Sequence, residues 1–130
     1  MPKVTKVGRV LVPVADQDDA ISFYTKQLGF TLVADVPFAG DQRWVEVAAP
    51  GGGAVIALVP PQGEYKPGRM TGIGLESTDV RADHAELKGS GVDVDDDIVG
   101  GDGTVPLLFF LRDNNANQLM IAEVAEDDAR

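Results

Sequence analysis

The chain has 130 residues, of which 44% are hydrophobic and 25% are charged, a composition typical of one compact soluble domain. It contains no cysteine, which excludes disulfides, thiolate nucleophiles and cysteine-ligated zinc or iron–sulfur sites. The formal net charge is −10, and such a field disfavours nucleic acid and anionic membranes as partners.

The negative charge lies mostly in the second half, because residues 1–62 carry −1 and residues 63–130 carry −9. This imbalance favours a cationic small-molecule ligand, although solubility alone is the other interpretation. No apolar run approaches ~18 residues, so no membrane-spanning helix is expected. The N-terminal MPKVTKVGRVLV is too short and too alternating in its apolar part for a signal peptide. We therefore expect a cytoplasmic protein.

The first half predicts a strand, a helix and three strands. VGRVLVPVAD alternates apolar residues at strand period, and Asp16 then provides an N-cap for a helix that Gly29 ends. The helix carries an apolar stripe made of Ala20, Phe23, Tyr24, Gln27 and Leu28. FTLVADV, RWVEVAA and AVIALV predict the three strands, and PGGG is the turn between the last two.

The second half repeats this order after PPQGEYKPGRM, which is rich in Pro and Gly and indicates a linker. TGIGLEST predicts a strand, and Thr78 or Asp79 caps a helix that runs to about Lys88. Three further strands are predicted at VDVDDDIV, PLLFFLRD and NQLMIAEV. The turn chemistry of RDNNAN joins the last two, and the polar AEDDAR is expected to fray.

The doubled pattern predicts an α+β fold of two βαβββ modules within a single domain spanning 1–130. We place the first module at 6–60, a linker at 61–70, the second module at 71–124 and a flexible tail at 125–130. Each module forms a four-stranded sheet with a helix on one face. Two such half-barrel sheets set edge to edge would surround a shared cleft, where binding pockets commonly form.

Paired modules that contain VPVADQDDAISFYTKQLGF and FFLRDNNANQLMIAEV resemble the vicinal oxygen chelate superfamily. That superfamily includes glyoxalase I, extradiol dioxygenases, fosfomycin-resistance enzymes and bleomycin-binding proteins. The resemblance extends from about Val7 to Val124. RDNNAN resembles the family's Asp-Pro-Asp-Gly-Asn turn at Asp113, Asn115 and Asn117, and it departs from that turn at the two positions between them. These motifs specify a fold rather than a reaction.

The resemblance also implies where a metal would be bound in metal-dependent members, at one position on the first and one on the last strand of each module. The occupants in this sequence are Arg9, Ala57, Gly72 and Met120. None of them is a ligand for a hard cation, and an arginine would repel one. The only histidine, His84, is expected on the outer face of the second helix. We therefore predict no metal and no other cofactor.

The hairpin register predicts what lines the cleft instead. If the PGGG turn is centred near residues 51 and 52, Glu46 faces Ala57 across the two strands, and Trp44 shares their inward face. Glu46 then forms an ion pair with Arg9, or either side chain meets a charged ligand. Glu46 is also the one candidate for catalysing a proton transfer.

In the second module either Leu108 and Phe110, or Leu107 and Phe109, must face inward, and we select the first pair. Met120 adds a pliable apolar wall, and Gly72 is included in the pocket. The resulting hypothesis is a metal-independent protein of the glyoxalase/bleomycin-resistance type that binds or sequesters a small molecule as a homodimer. A metal-dependent lyase or dioxygenase, and a non-catalytic partner subunit, are the alternatives.

Overall fold

The computed structural model describes residues 2–125, so most of the predicted tail, residues 126–130, lies outside the described residues. The chain divides into two compact units, with the boundary between Lys66 and Pro67. Each unit contains one four-stranded sheet and one principal helix. The α+β class and the two βαβββ units predicted from the sequence are confirmed. None of the helices in the described part is long and apolar enough to cross a membrane.

The first unit is built from four strands and a short helix. The strands are β1 (Arg9–Pro13), β2 (Thr31–Pro37), β3 (Arg43–Ala48) and β4 (Val55–Val59), in the spatial order β1-β4-β3-β2. The helix α1 (Gln17–Ser22) continues into a π-helical turn at Phe23–Gln27. β1 runs parallel to β4, whereas β4, β3 and β2 pair antiparallel.

The start of α1 follows from side-chain chemistry. The Asp16 carboxylate accepts a hydrogen bond of 2.9 Å from the backbone N–H of Asp19, and this satisfies one of the free donors at the helix N-terminus. Gln17 then fastens the helix to the sheet, because its side-chain amide donates to the carbonyls of Arg43 and Leu58 at 2.7 and 2.9 Å. The predicted N-cap is confirmed.

The core of the first unit lies between α1 and one face of its sheet. Val12 on β1, Val45 and Val47 on β3, and Leu58 on β4 are fully buried. Tyr24 is also fully buried, and it packs edge-on against Phe23 and Phe30, with ring centroids 5.4 and 5.9 Å away. Each such side chain contributes about 1.5–3 kcal/mol of hydrophobic stabilisation. Because α1 packs on this one face, the opposite face of the sheet is not covered by the helix.

The second unit repeats the arrangement. Its strands are β5 (Met70–Ser77), β6 (Asp93–Val94), β7 (Leu108–Arg112) and β8 (Gln118–Glu123), in the spatial order β5-β8-β7-β6. Its helix α2 (Val80–Gly89) begins at Asp79, whose carboxylate accepts from the N–H of Ala82 at 3.1 Å. Of the two predicted caps, Asp79 is therefore the N-cap.

The prediction that His84 lies on the outer face of α2 is wrong. The imidazole packs edge-on against Phe109, with centroids 5.0 Å apart, and its Nε2 donates to the carbonyl of Asp95 at 2.6 Å. The physical reason is helical spacing, because His84 follows the buried Val80 by four residues and precedes the buried Leu87 by three. It therefore belongs to the stripe that faces the sheet.

The strand predicted over VDVDDDIV is shortened to Asp93–Val94, with one further isolated bridge between Val99 and Leu108. Aspartate has low strand propensity, and the aspartates here form ion pairs instead of a ladder. Asp95 pairs with Arg112 at 2.8 Å, and Asp96 pairs with Lys88 at 3.1 Å. The acidic run is thus mostly a loop that is held to β7 and α2.

The RDNNAN turn between β7 and β8 is closed by buried polar groups. The Asp113 carboxylate accepts from the N–H groups of Asn115 and Asn117, at 2.8 and 3.0 Å. Asn117 is fully buried, and its side-chain oxygen accepts from the N–H of Gly68 at 3.0 Å. Ala116 adopts φ 61°, a left-handed conformation that favours glycine. Side chains in this turn therefore organise both the hairpin and the segment that leads into β5.

Candidate functional site

The side of the first sheet opposite α1, which we call the helix-free face, carries the side chains singled out by the sequence. Val45 and Val47 of β3 point to the helix and are fully buried, so Trp44 and Glu46 point the other way. Glu46 pairs with Ala57 across β3 and β4, and Ala57 pairs with Leu11 of β1. The hairpin register predicted from the PGGG turn is therefore the one present.

Glu46 holds two donors at one oxygen atom. The Nε of Arg9 and the indole Nε1 of Trp44 each lie 2.9 Å from Oε2 of Glu46. The Glu46 side chain is 13% exposed, whereas that of Arg9 is 53% exposed. The ion pair between Arg9 and Glu46 that the strand alternation suggested is thus present, and the indole of Trp44 joins it.

These contacts set the chemistry of the Glu46 carboxyl group. The hydrogen bond from Trp44, and after it the bond and the charge of Arg9, hold the pKa of Glu46 below its ordinary value, while partial burial opposes this effect. A general base at neutral pH works best with a pKa near that pH. Glu46 is therefore better suited to hold Arg9 and Trp44 in place than to remove a proton from a substrate.

Apolar side chains surround this polar group on the helix-free face. The Phe38 ring is 69% exposed, and its centroid lies 6.3 Å from that of Trp44, with the planes inclined by 58°. Val36 pairs with Trp44 across β2 and β3, and Val36 and Leu11 are 50% and 39% exposed. The sequence analysis did not include Phe38, Val36 or Leu11 among the pocket residues. Strand parity across the β2–β3 hairpin is the signal that identifies Val36, which pairs with Trp44.

The second sheet has its own helix-free face. Phe109 is buried on the α2 side, so Leu108 and Phe110 are the residues of β7 that point away from the helix. Phe110 pairs with Met120, and Leu108 pairs with Ala122. The choice of Leu108 and Phe110 over Leu107 and Phe109 as the helix-free pair therefore agrees with the strand register. Their contact with a ligand stays a prediction.

The two predicted site residues Gly72 on β5 and Met120 on β8 do not pair with each other, because the β5–β8 ladder is irregular. The ladder is interrupted between Met70 and Gly74, and Gly72 lies within this interruption with φ 75°. Gly74, rather than Gly72, pairs with Met120, and a Cβ at Gly74 would come 3.0 Å from the terminal carbon of Met120. A side chain at position 74 would therefore meet the mobile end of the Met120 side chain.

The positions that the resemblance assigns to metal ligands do not suit a hard cation. Arg9 is cationic and engaged with Glu46, Ala57 is a buried methyl group, and Met120 offers only a thioether. Within residues 2–125, no three histidine, aspartate or glutamate side chains are grouped closely enough to hold a metal ion. Metal independence nevertheless stays a prediction that elemental analysis has to test.

A groove of about 420 Å³ lies at the β6 edge of the second unit. Its lining residues are Asp95, Asp96, Asp97, Val99, Phe109 and Phe110. Two of its carboxylates are engaged in the ion pairs with Arg112 and Lys88 described above. The sequence analysis assigned these aspartates to a solvated edge strand and did not identify the groove.

The chain matches the family model described as "Glyoxalase/Bleomycin resistance protein/Dioxygenase superfamily" over residues 6–121. It belongs to this superfamily. The family assignment made from the sequence motifs is therefore confirmed. The superfamily includes binding proteins as well as enzymes, so membership alone leaves the activity open.

Three relatives show how this superfamily member compares with known proteins. An uncharacterized protein of Bacillus subtilis (strain 168), YetH, is 30% identical over 92 residues, which cover 69% of this chain and 76% of the relative. The crystal structure of TnmS3, an antibiotic binding protein from Streptomyces sp. CB03234, has a TM-score of 0.82 and 31% identity, covering 96% of this chain and 100% of that chain. A superfamily member from Sphaerobacter thermophilus DSM 20745 has a TM-score of 0.83 and 27% identity, covering 93% and 98%.

Proposed function

We propose that this superfamily member binds and sequesters a small organic molecule without the help of a metal, and that the helix-free face of the first sheet contacts the ligand. The observation that carries the proposal is the arrangement around Glu46. One carboxylate fixes a guanidinium and an indole side by side, among exposed apolar side chains. Small-molecule sites usually combine apolar walls with a few polar groups in fixed positions.

The lowered pKa of Glu46 favours a role in binding over a role in catalysis. Its pKa is held low by Trp44 and Arg9, so its carboxylate is a weak base at neutral pH. Within the described residues, Glu46 is the one acidic side chain that the strand registers place on this face. The similarity to TnmS3, described as an antibiotic binding protein, supports a sequestration role for this chain.

Trp44 is the only tryptophan of the chain, so its fluorescence reports directly on the proposed site. The test is a titration of purified, chelator-treated protein with a panel of natural-product antibiotics that do not absorb at the emission wavelength of tryptophan. We expect a saturable change in Trp44 fluorescence with at least one compound. The absence of saturable binding across the panel would contradict the proposal.

A pair of variants connects binding to this face. Phe38→Ala removes an exposed ring next to Trp44 and is expected to weaken binding up to about tenfold, because contacts between rings contribute about 0.5–1.5 kcal/mol beyond the area that they bury. Val33→Ala shortens another exposed apolar residue of the same strand, β2, and is expected to leave the affinity unchanged. An unchanged affinity in Phe38→Ala, or equal losses in both variants, would contradict binding next to Trp44.

The metal-dependent lyase or dioxygenase is the second candidate function, and the shared superfamily is its only support. The same titration separates the two, because a metal-dependent protein would bind its ligand, or convert it, only after a divalent metal is added. The assignment as a partner subunit without a ligand predicts no binding under either condition.

A further inference from the structure

We propose that the ligand of this site is a planar aromatic compound with an anionic oxygen attached to its ring system, and that Arg9 is the residue that selects it. This inference rests on the proposed binding function and names the chemical class of the ligand. It concerns the side of the guanidinium that Glu46 does not occupy and the ring surface of Trp44 and Phe38.

Arg9 has donors left to offer. Its Nε is bound to Glu46, while within residues 2–125 its two terminal nitrogens make no hydrogen bond or ion pair, and the side chain is 53% exposed. A guanidinium donates from all of its N–H groups and accepts nothing, and its terminal nitrogens form a fork that fits a carboxylate or phenolate oxygen. Because the side chain is half exposed, water can satisfy these donors in the free protein, and a ligand that displaces this water has to offer an acceptor in its place.

Arg9 is also held in a fixed place. Because the Arg9 Nε and the Trp44 Nε1 are each 2.9 Å from the same oxygen, these two donors lie within about 6 Å of each other. A ring lying on Trp44 or Phe38 would thus bring a substituent at its edge to the terminal nitrogens of Arg9. Immobilising both groups in advance reduces the entropy that binding would otherwise cost.

The charge on the helix-free face differs from the net charge of the whole chain. The net charge of −10 favours a cation, and most of it belongs to residues 63–130. On the helix-free face of the first sheet, the charge of Glu46 is already compensated by Arg9. Direct hydrogen bonds from the terminal nitrogens of Arg9 therefore determine which charged group this face prefers.

The experiment compares three probes with the same ring system and different charge: naphthalene-2-carboxylate, naphthalene-2-carboxamide and 2-naphthylmethylammonium. Because Trp44 is the only tryptophan, a ¹H–¹⁵N spectrum contains one indole signal, and its shift follows binding at this site. We expect the carboxylate to bind at least about tenfold more tightly than the carboxamide, because hydrogen bonds to charged groups are the stronger kind. The ammonium should bind most weakly.

Three variants assign the preference to Arg9. Arg9→Gln is expected to remove the difference between carboxylate and carboxamide, and Arg9→Lys to restore only part of it, because lysine keeps the charge and loses the fork. Lys6→Gln removes the same formal charge from an exposed position before β1 and should keep the wild-type preference. The dispersion of each spectrum shows whether a variant is folded, and the exposure of Arg9 makes folding of its variants the expected result.

The outcomes separate this inference from the proposed function. Tightest binding of the ammonium, equal binding of all three probes, or an unchanged preference in Arg9→Gln would overturn the ligand class while binding itself stands. A failure of all three probes at millimolar concentration, together with binding of another compound from the panel, would also overturn it. A failure of every compound would overturn the proposed function as well.

Discussion

Among single residues, Glu46 connects Arg9 and Trp44 on the helix-free face of the first sheet. One of its oxygens accepts from Arg9 and Trp44, and its strand neighbours are Ala34 on β2 and Ala57 on β4. The two alanines leave space for the longer side chains to meet between them. The carboxylate therefore determines where the guanidinium and the indole lie.

The coupling between Arg9 and Glu46 can be measured by a double-mutant cycle in chemical denaturation. We expect Glu46→Gln to lower the free energy of unfolding by about 1 kcal/mol, because a charged acceptor for two donors is replaced by a neutral one. Arg9→Gln should cost less, because Arg9 is half exposed and its ion pair is partly screened by solvent. The double variant should cost less than the sum of the single changes, and additive effects would exclude direct coupling.

The lowered pKa of Glu46 also predicts a pH dependence. Since the pKa is lower in the folded protein than in the unfolded chain, the stabilisation by the carboxylate is fully present above the ordinary value of about 4.5. It is lost as the pH falls through the lower, folded-state value. Unfolding free energies measured at a series of pH values should therefore show the wild type losing more stability than Glu46→Gln below about pH 4.5. Parallel curves would refute the assignment.

At the scale of elements, the β7–β8 turn contains one alanine in a backbone conformation that glycine adopts more easily. Ala116 has φ 61°, where a side chain costs roughly 1–2 kcal/mol and glycine costs nothing. Ala116→Gly is expected to raise the free energy of unfolding by about 0.5 kcal/mol or more, after the greater freedom of glycine in the unfolded chain is subtracted.

The matched control for that substitution is Ala85→Gly. Ala85 is exposed within α2, where the change to glycine should lower stability by about 1 kcal/mol. Thermal or denaturant unfolding of the two variants should thus give effects of opposite sign. Destabilisation by both substitutions would show that Ala116 does not adopt the left-handed conformation in solution.

Local chemistry made most of these elements predictable. The N-caps at Asp16 and Asp79 and the PGGG turn depend on neighbouring residues, and the hairpin register followed from the turn. The shortening of β6 accompanies the ion pairs that Asp95 and Asp96, just beyond its end, make with Arg112 and Lys88. Partners that the folded chain brings together in this way cannot be identified from residue spacing.

The candidate site was predictable to a similar extent. Alternation along the strands brought Arg9, Trp44, Glu46 and Ala57 to one face, and β1 and β4 pair as this requires. The contact between Phe38 and Trp44 was missed, because Phe38 follows the end of β2 and its ring position depends on the hairpin loop. The bond from Trp44 to Glu46 was missed because strand parity gives the face of a side chain and not its rotamer.

At the scale of the whole molecule, the prediction that remains is a homodimer. β2 is an edge strand that pairs only with β3 in the described sheet, and Leu32, Val33 and Val36 are exposed along it. Exposed edge strands with apolar side chains favour pairing with another chain. Light scattering at micromolar concentration should give about twice the chain mass of 13.7 kDa, with two-fold symmetry as the expected arrangement. A mass of one chain would contradict this.

The metal content of the whole protein is the second prediction at this scale. Arg9, Ala57, Gly72 and Met120 occupy the positions at which metal-dependent relatives would carry ligands. Elemental analysis of protein purified without added metal should therefore find much less than one equivalent of manganese, iron, nickel or zinc per chain. A content of about one metal equivalent per chain would contradict this. If a chelator removed that metal and also abolished the ligand-induced change in Trp44 fluorescence, the metal would belong to this site.

The central claim is that the helix-free face of the first sheet binds a small molecule without a metal. The most direct measurement is calorimetric titration of the tightest ligand from the panel into chelator-treated protein, repeated after addition of a divalent metal. The claim predicts the same affinity, near one ligand per site, under both conditions, and a large loss in Phe38→Ala. Binding that arises only after metal is added would contradict it.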